Sequence, residues 1–307
     1  MSGVFLLAVI LVLLLLTKVR FILLFFVPGI LLVYHKKQAT EAIALMVFSS
    51  LSFWIVSFWF LKFIPVKMTV LFYSTILITL FVIFFFSFRK CKNIEIIFGR
   101  YDFFLIFIFV IIFILRLIPF LLGYFPAGAD MSFHALTSRI IEINDGLPKT
   151  YEPVLPIKFG GYPIGFHVLS AYTSILSGFS VQKAVLFVAN ITYALLTLGF
   201  YLLLRNFANP FLSILSSIIV TFLPWNPQFF ISWGGNPFVL SFCLLVAGVY
   251  LLLKLESDDS MDYKEIIILS LIMAASFLTH IMPLYGFFYI YLAVFTLEII
   301  KKRKFTY

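Results

Sequence analysis

Charged side chains are scarce in this chain of 307 residues: 11% of it is Asp, Glu, Lys or Arg, whereas 63% is hydrophobic and 20% is aromatic. A soluble domain is about a quarter charged, so this chain has too few charges to cover a surface that faces water. Its apolar surface must therefore face lipid. Backbone amides inside a bilayer are satisfied only in helices or closed barrels, and the long apolar runs do not alternate as barrel strands do.

Cysteine is also rare, and the two cysteines, Cys91 and Cys243, form no motif and predict no disulfide. The chain has no internal repeat, no low-complexity linker and no evident soluble domain. A formal net charge of +9 would suggest nucleic acid as the partner of a soluble protein. In a membrane protein, basic residues gather at cytoplasmic helix ends instead. We therefore expect a partner in membrane lipid and none in nucleic acid.

The apolar runs predict an all-α, polytopic transmembrane protein with about ten spans, since one span takes about 20 apolar residues. The expected spans are residues 3–16, 21–34, 42–61, 68–88, 103–122, 184–204, 210–223, 237–253, 266–279 and 284–300. The first two are short and meet at Lys18 and Arg20, so they form either a tight hairpin or parts of one distorted element. We divide the chain into N-terminal transmembrane helices (1–100), a membrane core (101–300) and a basic cytoplasmic tail (301–307).

Basic clusters set the expected orientation, because Lys and Arg concentrate in cytoplasmic loops. The strongest clusters are residues 35–37, 89–92 with Arg100, and 301–304. All of them lie in the cytoplasm only if an even number of helices crosses between Arg100 and Lys301. We therefore expect the short apolar segment 163–176 to be re-entrant or half-buried. The protein would then be an integral, multi-pass protein of the plasma membrane.

This orientation places three uncommon features on the outer face: the polar loop 123–162, the segment 224–236 and the neighbourhood of His280. Within the loop, apolar residues recur with helical spacing and predict an amphipathic helix that lies along the membrane surface. These residues are Phe133, Leu136, Ile140, Ile143 and Leu147. The opposite face would carry the polar residues His134, Ser138, Glu142 and Asp145.

Asp130 stands where an N-cap residue of that helix belongs, and capping is its ordinary structural role. A catalytic role is the alternative, and one residue can do both. His134 lies one helical turn further on. The pair could share a proton or bind a divalent cation such as Mg²⁺ or Mn²⁺, although two ligands alone are a weak metal signal.

Two further histidines, His167 and His280, lie near the outer ends of apolar segments. Each is either an interfacial histidine bonded to the backbone or a functional group, since ionisable residues at membrane depth are costly and often functional. Arg116 lies within a span near its outer end. It either snorkels to the surface or pairs with a lipid phosphate or with Asp130.

The segment 224–236 is rich in aromatic residues and glycine, and includes Trp233 and Asn236. Tryptophan at an interface is usually an anchor, but its ring is also a good surface for stacking a sugar. The sequence alone leaves both interpretations open, the membrane anchor and the sugar-stacking surface.

The order of these motifs along the chain resembles their order in the GT-C superfamily of membrane glycosyltransferases, which includes oligosaccharyltransferases and protein mannosyltransferases. The resemblance covers about residues 100–300. The matching residues are Gly128, Ala129 and Asp130 with Phe133 and His134, then Tyr162 to His167, Tyr201 to Arg205, Phe222 to Pro224, Ser232 to Asn236, and Phe277 to His280. The resemblance implies a GT-C-like membrane core and a site on the outer face.

The same resemblance implies that a sugar is transferred from a polyprenyl-phosphate donor, with Asp130 as general base or metal ligand. His134 or His167 would assist, and Trp233, Asn236 and His280 would bind substrate. Arg116, Arg139 or Lys158 would offset the charge of the leaving phosphate. The oligosaccharyltransferase branch has another acidic residue in the next outer loop, whereas segment 224–236 has none, which weakens the case for a metal of that type.

Larger members of the superfamily continue beyond such a core, so we expect this chain to be a fragment, a minimal relative or an inactive one, and the candidates for what completes it are a missing C-terminal region and a partner subunit. The alternative functions are a transporter or lipid flippase, and a non-catalytic membrane subunit. A transporter would spread polar residues through the membrane midplane, whereas the ionisable residues of this chain lie mostly at the ends of its spans.

Overall fold

The structure, a computed structural model, describes residues 10–33, 38–64, 66–88, 97–123, 125–126, 128–222, 233–257, 263–289, 291–292 and 296. The clusters 35–37, 89–92 and 301–304, residues 224–232 of the expected outer segment, and the tail 301–307 lie outside these described residues. The expected first and last spans are described only in part.

The described chain is mostly helical. After residues 10–15, which are helical, and a 3₁₀ helix at Arg20–Phe25, the helices are α1 (Gly29–Val33), α2 (Ala39–Phe60), α3 (Met68–Phe88), α4 (Arg100–Leu122), α5 (Met131–Asn144), α6 (Gly165–Ser177), α7 (Val181–Leu204), α8 (Pro210–Phe222), α9 (Asn236–Ser257) and α10 (Tyr263–Thr279). Residues 282–289 are helical as well. Two short strands, β1 (Thr150–Tyr151) and β2 (Leu155–Lys158), pair antiparallel between α5 and α6.

Four helices of the described chain are long and apolar enough to cross a membrane: Ala39–Phe60, Arg100–Leu122, Val181–Leu204 and Asn236–Leu255. Shorter apolar helices are Arg20–Val33, Met68–Ile83 and Pro210–Phe222. The molecule is therefore a helical membrane protein, as its composition predicts. The total of about ten spans stays a prediction.

Helix α7 lies at the centre of the molecule and α4 at its edge. In the apolar window of α7, 94% of residues are buried inside the protein, whereas the corresponding share for α4 is 17%. Helix α7 packs against α4, α6, α8 and α9. The outward side of α4 is a continuous row of large apolar side chains, which is the surface expected of a helix that faces lipid.

One end of the helix bundle is closed by an ion-pair network, and we call it the Lys254 end. The ammonium group of Lys254, near the end of α9, bonds to the carboxylate of Glu41 at 2.6 Å and lies 3.3 Å from that of Glu265. Because Glu41 starts α2 and Glu265 starts α10, the network ties three helix ends together. Pairing stabilises these three charges in the bundle, since an isolated buried charge is very costly.

The opposite end contains the start of α5, and we call it the Asp130 end. Helix α4 ends there, next to the start of α7: the Lys183 ammonium of α7 donates to the Phe120 carbonyl near the end of α4 at 2.7 Å. Helix α6 begins there with His167, and the ring of Phe179, just after α6, lies 5.3 Å from that of Phe120. Both ends of α6 are therefore close to the same end of the bundle.

The second expected span, 21–34, is not one regular helix. It consists of the 3₁₀ helix Arg20–Phe25, an irregular stretch and the short helix α1. The Arg20 guanidinium donates to the Leu176 carbonyl at 2.9 Å, which fixes the start of this segment at the end of α6. Gly29 presses against Ser49 and Ser50 of α2, where a Cβ atom would find no room.

Helix α5 forms as predicted, and each of its two predicted faces is partly buried. Of the polar face, His134 and Ser138 are buried, and Glu142 is half-buried. Of the apolar face, Ile140 is buried, whereas Phe133 and Ile143 are 40% and 57% exposed. Exposed apolar side chains on a short amphipathic helix are typical of a helix that lies along a membrane surface.

Candidate functional site

Three histidines from distant parts of the chain meet at the Asp130 end. The Nδ1 atom of His134, in the first turn of α5, lies 2.9 Å from Nε2 of His167, in the first turn of α6. The other ring nitrogen of His134 is 3.1 Å from the Gly234 carbonyl oxygen, just before α9. The ring of His280, which directly follows α10, adjoins the same group through Tyr162.

Close contacts between glycines and backbone bring these elements together. Gly128 has a φ of +111°, and a Cβ there would lie 2.4 Å from the Gly234 nitrogen. The Asp130 amide donates to the Trp233 carbonyl at 3.0 Å. Gly165 begins α6 so close to α10 that a Cβ would lie 2.3 Å from the Thr279 hydroxyl. Only glycine allows both approaches.

The hydrogen bonds of His134 fix the tautomers of the buried pair. A carbonyl oxygen only accepts, so Nε2 of His134 carries a hydrogen and donates to Gly234. In a neutral His134 ring Nδ1 then accepts, and Nε2 of His167 donates to it. Nδ1 of His167 is left as an acceptor; it is buried and makes no hydrogen bond of good geometry within the described chain, although the Ile164 carbonyl is close enough to act on the ring.

Burial keeps both rings of the pair neutral near pH 7. It lowers the pKa of His134 to about 4, against the smaller opposing effects of the Gly234 carbonyl and the Asp130 charge. Burial, and then the neighbouring His134, lower the pKa of His167 well below its usual value. The pair is thus a neutral, largely satisfied unit in the wall of the site.

Asp130 occupies the N-cap position of α5, as predicted, but its side chain makes no capping bond. The residue is exposed, and its charge acts on both His134 and Tyr162. Its carboxylate has no hydrogen bond or ion pair with the residues that the structure describes. An acidic group left unused by its own helix is available to a ligand.

Tyr162 lies at the centre of the histidine cluster. Its ring centroid is 5.8 Å from that of His167 and 6.2 Å from those of His134 and His280. Burial, followed by the charge of Asp130, raises the pKa of the Tyr162 hydroxyl to about 12. The hydroxyl is therefore protonated near neutral pH and can donate a hydrogen bond.

His280 is held by the end of α10. The Ser241 hydroxyl of α9 donates to the His280 carbonyl at 2.7 Å, and the Met282 amide donates to Nδ1 of His280 at 3.3 Å. Burial lowers the pKa of this half-buried ring. His280 is accordingly a neutral ring with its hydrogen on Nε2, a second neutral donor beside Tyr162.

The three cations expected to bind phosphate lie in different surroundings. The Arg116 guanidinium donates to the Thr221 carbonyl at the end of α8 at 2.9 Å and lies over the rings of Tyr193 and Phe222. A cation there stabilises the carbonyl end of a helix. Arg139 is exposed and pairs with Glu142, three residues on. Lys158 is exposed on β2.

Trp233 and Asn236 both lie beside the first turn of α5. Trp233 is 36% exposed. Asn236 is buried, its side-chain nitrogen is 3.0 Å from the sulfur of Met131, and its side-chain oxygen has no partner within the described chain. Of the two, Trp233 is the one placed to touch a ligand from outside.

Residues 22–304 match the model of a family described as a family of unknown function, DUF6541. The chain belongs to the DUF6541 family. A search of curated proteins and a search of solved structures found no match.

A divalent cation at Asp130 stays a prediction for this DUF6541 protein. Within the described residues, no group of three or more His, Cys, Asp or Glu side chains is placed to hold a metal ion. Both ring nitrogens of His134 are engaged, one with His167 and one with Gly234. His134 would have to give up one of these bonds to become a ligand beside Asp130.

The participation of Tyr162 and of the Gly234 backbone was not predicted from the sequence. Tyr162 belongs to the motif Tyr162–His167, one of those that resemble the GT-C superfamily, but a single tyrosine before a proline does not indicate a chemical role. The signal available was the run Tyr162–His167 at the start of an apolar segment, which gathers an aromatic hydroxyl and an imidazole at one helix start. Their convergence with His134 depends on tertiary contacts.

Proposed function

We propose that this DUF6541 protein is a membrane glycosyltransferase that moves a sugar from a polyprenyl-phosphate donor to an acceptor on the outer face of the membrane. The observation that carries the proposal is the Asp130 carboxylate, which stands at a helix start without capping it. The GT-C resemblance of residues 100–300 supports the same reading. In this proposal the fold is of the GT-C type, with about ten spans, and the site faces outward from the plasma membrane.

The proposed reaction uses Asp130 as general base. The acceptor oxygen or nitrogen attacks the anomeric carbon of the sugar and forms the new glycosidic bond. The bond from that carbon to the phosphate oxygen breaks, and its electron pair leaves with the polyprenyl phosphate. The acceptor proton passes to the Asp130 carboxylate. Atoms and charge balance without any further reactant.

The leaving phosphate would be received by helix starts and neutral donors. Helices α5, α6 and α9 all begin at this site, and the first turn of a helix offers free amide hydrogens and a partial positive charge. The N-cap residues of α5 and α6 make no side-chain cap. Tyr162 and His280 add an O–H and an N–H donor, which stabilise developing negative charge.

Arg116, Arg139 and Lys158 stay candidates for longer-range help to the phosphate. Arg139 already shares its charge with Glu142, and Arg116 serves the end of α8. We therefore give the main role in phosphate binding to Tyr162, His280 and the three helix starts.

The test is Asp130→Asn in the purified protein reconstituted into bilayers with a panel of radiolabelled polyprenyl-phosphate sugars and a panel of hydroxyl and amine acceptors. Loss of label from the lipid is measured over time. We expect the variant to be slower by about 10²–10⁴, the usual contribution of a positioned base. Tyr162→Phe keeps the ring and removes only the hydroxyl, so it should also slow release of the phosphate.

Glu152→Gln is the matched control, because Glu152 is an exposed carboxylate of the same outer loop and lies on the β1–β2 hairpin. It should keep the wild-type rate. Undiminished turnover by a normally folded Asp130→Asn protein would remove Asp130 from the mechanism. A wild-type protein that turns over none of the donors would overturn the proposed function itself.

A further inference from the structure

The β1–β2 hairpin presents apolar side chains outward. Val154 and Ile157 are each 54% exposed and Leu155 is 46% exposed. Lys149 and Lys158, at the two sides of the hairpin base, are exposed as well. We call these five residues the hairpin surface. Large apolar side chains grouped in this way on a loop mark a contact surface.

The base of the hairpin is firmly attached to the protein, so this exposure does not come from a loose loop. Tyr151 and Phe159 are buried, and their rings lie 4.7 Å apart. The Phe159 amide donates to the Lys149 carbonyl at 2.9 Å. The ring of Phe133 on α5 lies 6.3 Å from that of Tyr151. The hairpin is therefore fixed beside α5.

The neighbours of the hairpin share its outward apolar character. Helix α4 ends at Leu122, which is 76% exposed, and Phe125 just beyond it is 51% exposed. On α5, Phe133 and Ile143 are 40% and 57% exposed. The apolar surface of a candidate span thus continues across α5 to the hairpin, as it would if all three met the same bilayer.

We propose that the hairpin surface inserts into the membrane leaflet at the Asp130 end. Val154, Leu155 and Ile157 enter the upper part of the acyl region, and Lys149 and Lys158 bind the phosphates of anionic phospholipids. Apolar side chains bordered by lysines are the composition of interfacial membrane segments, and lysine stems reach from apolar depth to charged headgroups. This inference does not depend on the proposed glycosyl transfer.

The hairpin carries two exposed lysines and one exposed carboxylate, Glu152, and this net positive charge favours lipid as the occupant. A second copy of the chain would bring identical positive charges together, whereas a phospholipid surface supplies negative charge close to apolar chains. Insertion would also hold the outer loop, and with it the start of α5, at a fixed depth. A ligand carried on a lipid would then reach Asp130 without leaving the membrane.

The depth of the hairpin can be measured in the full chain reconstituted into nanodiscs. Cys243 is buried and stays in place, while Cys91 is replaced by Ser. A single cysteine at Ile157 or, as the control, at Asn206, which is exposed just after α7, then carries an environment-sensitive fluorophore. We expect a blue-shifted emission, strong quenching by lipid-borne nitroxides and weak quenching by aqueous iodide at position 157, with the reverse order at position 206.

The lysines are tested by repeating the measurement in phosphatidylcholine and in phosphatidylglycerol. Quenching by lipid-borne nitroxide at position 157 should increase in phosphatidylglycerol, and the double variant Lys149→Ala/Lys158→Ala should lose that increase. A label at 157 as open to iodide as the label at 206 would overturn the insertion. Equal quenching in both lipids would overturn the role of the lysines. Neither readout requires enzymatic activity.

Discussion

At the scale of single residues, the site divides its polar groups into an inner pair and an outer set. His134 and His167 bond to each other and to Gly234, so most of their hydrogen-bonding capacity is used. Asp130, Tyr162 and His280 lie nearer the surface. The sequence predicts that histidines gather at this end, but spacing along the chain does not show which of them pack together and which face a ligand.

The neutral state of His134 predicts a loss of stability in acid. Its pKa in the folded protein is about 4, below the ordinary 6.5. Below pH 6.5 the His134 ring is therefore protonated in the unfolded chain while it is still neutral in the folded protein. The stabilisation is complete above pH 6.5 and is lost as the pH falls towards 4; for this ring it amounts to roughly 3 kcal/mol at most. The loss of stability can be measured by thermal unfolding of the protein in nanodiscs between about pH 7.5 and about pH 4, the range in which the ring titrates.

The matched variant for that measurement is His134→Gln, which cannot titrate. We expect it to be less stable than wild type at pH 7, because it disturbs a buried hydrogen-bonded pair at a cost of about 1–3 kcal/mol. Its melting temperature should also fall less steeply towards acid. Parallel pH profiles for the two proteins would show that His134 is not held neutral by burial.

At the scale of helices and loops, the predicted bounds of the helices are close to the observed ones, because long apolar runs leave little choice. The expected span 68–88 coincides with α3. Helix α5 shows the limit of such patterns: Phe133 and Ile143 of its apolar face are exposed, whereas Ile140 of the same face is buried. The periodicity predicts two faces but not which residues of each face contact the rest of the protein, because that depends on how α5 packs against α6.

The contact between the loops before α5 and α9 predicts unequal effects of two glycine substitutions. Gly128 and Gly160 both have positive φ values, +111° and +128°, but only Gly128 lies against backbone, with the Gly234 nitrogen 2.4 Å from a Cβ position. Gly160→Ala should therefore cost only the backbone strain of about 1–3 kcal/mol. Gly128→Ala should cost more, and should separate the start of α5 from Trp233.

Thermal unfolding of the two alanine variants measures this difference, and the accessibility of a cysteine placed at Ser132 reports the separation of the loops. Equal losses of stability would mean that the strain of positive φ alone accounts for Gly128. The comparison isolates the contact because both substitutions add the same methyl group.

At the scale of the whole molecule, a bundle with two different ends emerges. At the Lys254 end, an ion-pair network joins three helices, and at the Asp130 end helix starts, glycines and histidines lie together. Composition and basic clusters predict the membrane class and the grouping of the polar features. They do not predict that Gly128 meets Gly234, because a contact over 100 residues depends on how every intervening helix packs.

The two ends should lie on opposite sides of the membrane. Helix α7 begins beside Phe120 at the Asp130 end and has 24 residues, which makes it about 36 Å long, more than the roughly 30 Å of a hydrocarbon core. Ser132, next to Asp130, and Asn206, just after α7, are both exposed. A single cysteine at Ser132 should react with a membrane-impermeant maleimide in intact cells, whereas one at Asn206 should react only after permeabilisation.

The pair of labels separates two errors that a single label would confuse. Reaction of both cysteines from outside would mean that α7 does not cross the membrane and that both of its ends lie on the outer side. Reaction of Asn206 alone from outside would keep the bundle but turn Asp130 towards the cytoplasm, against the bias of the basic clusters. A transferase that takes its donor at the outer leaflet requires the first pattern, because Asp130 and Ser132 belong to the same turn at the start of α5.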